Sequence, residues 1–194
     1  GKKRGVKMKN LVDFIYKIKG ALSEKLCDKI IEEYANEDFI RGAHPSGLEV
    51  RKLSELAISD PELIDSKNSY TRKYIDQALF ETVGKCISEY SDATMPFIAT
   101  SDSGYSLRKM KTGDYYRQHI DYSPPGTAGA EWKVTASMCL NDEFEGGDFT
   151  FFDKKLRFEL GKGDVLIFPS TFMYPHAVEE ITAGERFIVK PFSI

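Results

Sequence analysis

Residues 113–122 read Gly113-Asp114-Tyr115-Tyr116-Arg117-Gln118-His119-Ile120-Asp121-Tyr122. Behind the turn Thr112-Gly113-Asp114 the aromatic-rich run predicts a strand over 115–120. Residues two apart on a strand share a face, so His119 and Asp121 present an imidazole and a carboxylate to the same side. The pattern continues in both directions. Runs rich in aromatic and β-branched residues at 105–111, 132–140, 148–151, 156–160, 164–168, 173–178 and 186–192 are separated by Gly, Pro, Asn and Asp. Closely spaced strands of this kind predict a barrel or double-sheet jelly roll.

Further out, towards the N-terminus, the period changes. After Ser23, a good N-cap, Leu26, Ile30, Ile31 and Tyr34 recur at helical spacing. Asp60-Pro61 opens a short helix, and from Ser69 a long one carries Tyr70, Tyr74, Ile75, Ala78, Leu79, Val83, Ile87 and Tyr90 on one side. Residues 41–59, with Gly42, His44-Pro45 and Gly47, read as a long loop. The expectation is one domain over 1–194, mainly β with α: helical support over 1–100 and a barrel core with the site over 101–194. The phenylalanines Phe149, Phe151, Phe152, Phe158, Phe168 and Phe172 read as packing.

Composition narrows the function. With 41% hydrophobic and 29% charged residues the 194-residue chain has a globular mixture, and apolar runs such as Val165-Leu166-Ile167-Phe168 fall far short of the roughly 18–20 residues that cross a bilayer. A formal net charge of −3 gives no reason to expect nucleic acid as the principal partner. Lys2, Lys3, Arg4, Lys7 and Lys9 precede no apolar core of a secretory signal. Cys27, Cys86 and Cys139, odd in number and widely spaced, argue against a disulfide framework and for a reducing, intracellular (cytoplasmic) setting.

Three histidines can be weighed singly. His176 lies in the run 173–178, where an antiparallel partner would bring it beside His119 and Asp121. Two His and one carboxylate on one face of a metal leave positions open, as in non-haem Fe(II) oxygenases. The same donors suit catalytic zinc, and the spacing alone favours a surface H-x-D with an unrelated His beside Pro175, since H-x-D occurs often by chance. His44 reads as a solvent-facing loop residue.

The surrounding motifs decide between these readings. Residues 113–122 resemble the G-x-x-Y/F-x-x-H-x-D signature of the 2-oxoglutarate/Fe(II) dioxygenases, in their prolyl 4-hydroxylase-like branch. Val134-Thr135-Ala136-Ser137-Met138-Cys139-Leu140-Asn141 with Glu145-Gly146-Gly147-Asp148-Phe149 is similar to that branch's strand ending in Leu-Asn and its Glu-Gly-Gly turn. The stretch from Gly161 to Pro169 resembles the strand that follows, Tyr174-Pro175-His176-Ala177-Val178 the strand of the distal ligand, and Ile181-Thr182-Ala183-Gly184-Glu185-Arg186-Phe187 the closing strand. Leu22-Ser23-Glu24-Lys25-Leu26-Cys27 is similar to the family's opening helix.

The resemblance implies a double-stranded β-helix (jelly-roll, cupin-like) barrel. It implies Fe(II) bound by His119, Asp121 and His176, with 2-oxoglutarate and O2 as cosubstrates and ascorbate as reductant. Arg186, ten residues after His176, occupies the position of the family's basic residue for the remote carboxylate of 2-oxoglutarate; a guanidinium offers a bidentate, permanently charged fork. The family's tyrosine nine residues before the first ligand is here Met110, so that a cosubstrate hydrogen bond falls to Tyr105, Tyr116 or Arg108. Cys139 replaces an aromatic before Leu-Asn. Retention of Asp121 disfavours the related halogenation chemistry.

The implied reaction is oxidative decarboxylation of 2-oxoglutarate to succinate and CO2, coupled to hydroxylation of a C–H bond. Peptidyl-proline in a peptide or protein is the first substrate class. Tyr122 and Trp132 are candidate walls for it, since aromatic walls suit extended proline-rich chains. Loops 41–59 and 123–129 are candidate lids. Hydroxylation of another amino acid or a small molecule, and a barrel that binds metal and ligand without turnover, are the alternatives. The motifs leave oligomeric state open.

Overall fold

The computed structural model describes residues 9–42, 49–95, 102–121, 134–191 and 194. A 3-10 turn at Leu11–Phe14 leads into β1 (Tyr16–Ile18), α1 (Glu24–Tyr34), β2 (Ile40–Arg41), β3 (Arg51–Lys52), β4 (Ser54–Ala57), α2 (Pro61–Ser66) and α3 (Ser69–Ala93). Strands β5 (Tyr105–Lys111), β6 (Tyr115–His119), β7 (Val134–Cys139), β8 (Phe144–Gly146), β9 (Phe149–Phe151) and β10 (Leu156–Phe158) follow. The described strands end with β11 (Val165–Pro169), β12 (His176–Val178) and β13 (Ile181–Pro191).

Two antiparallel sheets result. The larger has the order β1-β11-β7-β13-β5-β4-β2 with β8 on β13, and the smaller is β10-β9-β12-β6-β3. Neighbours in space are mostly distant in sequence, as a double-stranded β-helix requires.

Strand alternation divides the core in two. Val165 and Ile167 of β11, Phe187 and Val189 of β13, and Tyr105 and Leu107 of β5 join Ile30, Tyr34 and Leu79 of the helices in one cluster. Leu166, Phe168, Ile188 and Met110, on the opposite face, join Phe149, Phe151 and Val178 of the smaller sheet in another. The larger sheet is covered on both sides, which is why 165–168 is an unbroken apolar run.

Local chemistry starts the helices where the sequence suggests. The Ser23 hydroxyl accepts from Leu26 N at 3.1 Å, and the Asp60 carboxylate accepts from Glu62 N at 2.8 Å ahead of Pro61. Elsewhere the expectations need correction. Residues 1–100 are less purely helical than expected, because β1 to β4 join the two sheets, and β3 and β4 lie inside the expected loop 41–59. Tyr70 and Tyr74 face solvent at 87% and 53% exposure. The buried stripe of α3 continues instead through Arg72, whose guanidinium pairs with Glu33 and Glu37 of the α1 side. Periodicity read from apolar residues alone passes over a buried, paired arginine. Phe172 is likewise exposed rather than core.

Asp114 locks the turn that launches β6. Its buried carboxylate accepts from Arg41 Nη1 and Nη2 at 2.8 and 2.6 Å and from Lys111 N at 3.1 Å. Burial works to raise its pKa, but these donors prevail and hold it below the usual value. A carboxyl depressed on folding contributes stability above its unfolded pKa and loses it as pH falls through the folded one. Asp114→Asn should therefore cost about 2–3 kcal/mol at neutral pH. The deficit should shrink below the carboxylate range, where the parent loses the same bridge. Urea denaturation at the two pH values checks this, and a pH-independent deficit would assign the loss to shape.

Candidate metal centre

The antiparallel pairing of β12 with β6 sets His176 directly opposite His119, and Asp121 follows two residues beyond. One donor atom from each of the three lies within 4.8 Å of the others. Asp121 Oδ1 stands 3.3 Å from His119 Nε2 and 3.7 Å from His176 Nε2. The outer ring nitrogens are occupied: His119 Nδ1 is 2.8 Å from Arg117 O and His176 Nδ1 is 3.0 Å from Tyr174 O. A carbonyl only accepts, so each Nδ1 carries a proton and each Nε2 is the ring nitrogen aimed inwards and open to a metal. Two imidazoles and a carboxylate on one side of a point can hold a divalent metal and leave its other side open.

Burial sets the charge states. It pushes His176 down to about 4, which keeps this imidazole neutral. Burial pushes Asp121 up, but Lys190 and the two histidines outweigh it and hold the carboxyl well below its ordinary range. Lys190 Nζ lies 3.0 Å from Asp121 Oδ2, and the Thr135 hydroxyl donates to the same oxygen at 2.7 Å. That hydroxyl has spent its proton, so Ser170 Oγ, 2.9 Å away, donates to it.

At the closed end of the same pocket lies Arg186, only 2% exposed. One amino group donates to Gly147 O, the other is 3.1 Å from Met110 Sδ, and the rings of Phe144 and Phe149 flank the guanidinium at 5.6 Å. Among the described residues it forms no ion pair, and its Nε has no partner. Burial lowers its pKa to about 10, so it stays charged. A buried cation with unspent donors is a site for an anionic group. The Gly-Gly turn makes room for it: a Cβ on Gly147, at φ +75°, would stand 2.8 Å from Arg186 Nη1.

The other expected residues divide by strand parity. Arg108 and Met110 line the pocket, and Tyr116 stacks on His119 with ring centroids 3.5 Å apart. Arg108 Nε lies 2.8 Å from Glu55 Oε1, which also accepts from Arg51. Tyr105 is on the opposite face of β5, buried against the helices with its hydroxyl on Asp102, so it does not replace the missing tyrosine. Tyr122, Trp132, His44 and the loop 123–129 lie outside the described residues. Sequence reasoning missed Lys190, Thr135 and Ser170. Parity was the available signal for the first, because Arg186, Ile188 and Lys190 share one face of β13.

Residues 105–193 match the 2OG-Fe(II) oxygenase superfamily. A PKHD-type hydroxylase of Prochlorococcus marinus strain MIT 9215 is 31% identical over 88 residues, covering 44% of this chain and 39% of that protein. The chain spans less than two fifths of the length of the curated relatives it matches. A viral collagen prolyl hydroxylase from Paramecium bursaria Chlorella virus-1, solved as a 2OG complex, superposes with a TM-score of 0.63 at 18% identity, covering 92% of this chain and 94% of that one. A prolyl hydroxylase from Trichoplax adhaerens, solved with a peptide fragment of the hypoxia inducible factor oxygen degradation domain, gives 0.65 at 16% identity, covering 92% and 83%. No described helix is long and apolar enough to cross a membrane. Residues 105–193 thus carry a match to the 2OG-Fe(II) oxygenase superfamily, and the chain has the double-stranded β-helix fold of the solved prolyl hydroxylases, built around a His-Asp-His cluster.

Proposed function

We propose that this chain is a 2-oxoglutarate- and Fe(II)-dependent hydroxylase of peptidyl-proline. The observation that carries this reading is the buried Arg186, without an ion pair among the described residues, in the same pocket as the three clustered metal donors. Zinc hydrolysis would have no use for such a cation, whereas a dicarboxylate held at the metal by one end needs its other end neutralised. Fe(II), 2-oxoglutarate and O2, when bound, would supply the oxidising chemistry: O2 is the oxidant, one of its oxygen atoms entering the substrate C–H bond and the other the succinate formed with CO2.

The chain supplies placement and charge. His119 and His176 offer their Nε2 nitrogens, and Asp121 offers one oxygen while Lys190 and Thr135 hold the other. Arg186 receives the remote carboxylate, and Met110 beside it provides an apolar wall. Tyr116 covers one face of His119, and Arg51 stands 5.7 Å from the Tyr116 ring, so this edge forms a candidate shelf for substrate. Ascorbate is the expected reductant. The free, buried cysteines fit a reducing intracellular setting.

Succinate formation with Fe(II), ascorbate and 2-oxoglutarate, measured against proline-rich, lysine-containing and arginine-containing peptides, tests the reading. The expected result is succinate stimulated by a proline peptide that gains the mass of one oxygen atom. Product on a lysine or arginine peptide instead would move the substrate class. Absence of succinate in folded, iron-loaded protein would leave a barrel that binds without turnover.

A further inference from the structure

Lys190 lines the pocket beside the three donors, and neither the metal nor the remote carboxylate of the cosubstrate accounts for it. Its ammonium is buried, and it shares Asp121 Oδ2 with the Thr135 hydroxyl, which leaves Oδ1 as the oxygen turned towards both histidines. Two neutral imidazoles and one carboxylate would carry a charge of −1, and with Lys190 the cluster sums to zero. Arg186 adds a positive charge in the same pocket that no ion pair among the described residues offsets. Arg108 is offset by Glu55.

We infer that Lys190 makes metal and cosubstrate load together: it weakens the hold of the cluster on a divalent cation alone and strengthens the hold of the metal-bearing site on a dianionic 2-oxoacid. This rests on the functional reading above and concerns how the same site is filled. A divalent ion entering alone brings two positive charges into a pocket with no net negative charge. Desolvated charges interact strongly there, so the ion is poorly held. A dianion entering with it cancels those charges and faces Arg186 and Lys190 as well. Linkage makes the effect reciprocal: whatever factor the dicarboxylate adds to metal affinity, the metal adds to dicarboxylate affinity.

Lys190 is a positioning residue here, since it acts through Asp121, and the test reads binding rather than turnover. Free Mn(II) is followed by electron paramagnetic resonance in the parent, Lys190→Met and Lys190→Gln, with and without saturating 2-oxoglutarate, at one fixed pH near neutrality. Thermal melts establish that each protein is folded. The parent is expected to bind Mn(II) at least about tenfold more tightly with 2-oxoglutarate present. Both variants should bind Mn(II) alone at least about tenfold more tightly than the parent, with the gain from 2-oxoglutarate reduced by a similar factor. Lys190→Gln keeps a hydrogen-bond donor without the charge. If it behaves like the parent, or if both folded variants bind Mn(II) alone equally or more weakly, the inference is overturned while the metal site stands. Failure of the folded parent to bind Mn(II) under either condition overturns the metal site itself.

Discussion

Asp121→Asn leaves the protein unable to retain metal and lowers succinate formation to the background rate. The substitution keeps the outline of the side chain but replaces the single anionic donor by a neutral amide. It also leaves Lys190, 3.0 Å from the lost carboxylate oxygen, as a second buried cation without its counter-charge. The cluster thus changes from no net charge to +1, and a divalent ion must enter against that charge. Metal dissociation should rise at least about a hundredfold. Uncompensated burial of Lys190 should also cost about 3–5 kcal/mol of stability. Adding Lys190→Met to Asp121→Asn separates the two effects, because it should recover most of the stability and none of the metal binding. Metal content after gel filtration, succinate release and thermal melts measure all three quantities. Normal metal retention by folded Asp121→Asn would show that the ion sits elsewhere.

Arg186→Met raises the 2-oxoglutarate concentration needed for half-maximal turnover about a hundredfold or more, with a smaller loss in the rate at saturation. A cation that binds the far end of the cosubstrate contributes to holding it rather than to the reacting atoms, and such a loss falls on KM more than on kcat. Stability should follow a different course. Arg186 is buried without an ion pair among the described residues and packed between Phe144 and Phe149, so a thioether of similar length fits apolar surroundings and removes a desolvated charge. The melting temperature is expected to hold or rise. A fall in both stability and kcat at unchanged KM would make Arg186 a structural residue, braced by Gly147 O and nothing more.

The barrel was legible because its physics is local and periodic. A period of two with turn residues between the runs marks a strand wherever it occurs, and H-x-D puts two donors on one face whatever lies beyond. The partner histidine was legible as a candidate through its motif, but its distance from the first pair was not. That distance comes from one register, His176 opposite His119, formed across 56 residues of intervening chain. The front half was less legible. Strands as short as Arg51–Lys52 and Ile40–Arg41 carry no period of their own and exist because a sheet edge was there to pair with. Tyr70 and Tyr74 look like core until Arg72 is seen to occupy the inward stripe with Glu33 and Glu37.

The strand-rich architecture followed from the sequence by itself through period and turn chemistry, and the shared face of His119 and Asp121 through parity, whereas His176 and Arg186 became candidates through the family resemblance. Only the tertiary structure decided the face on which Tyr105 lies, the stacking of Tyr116 on His119, the missing ion pair of Arg186 and the coupling of Lys190 to Asp121. Those depend on which strands become neighbours and in what register, and on burial, which gives a charge its energetic weight. Neither is a property of residues close together in the chain.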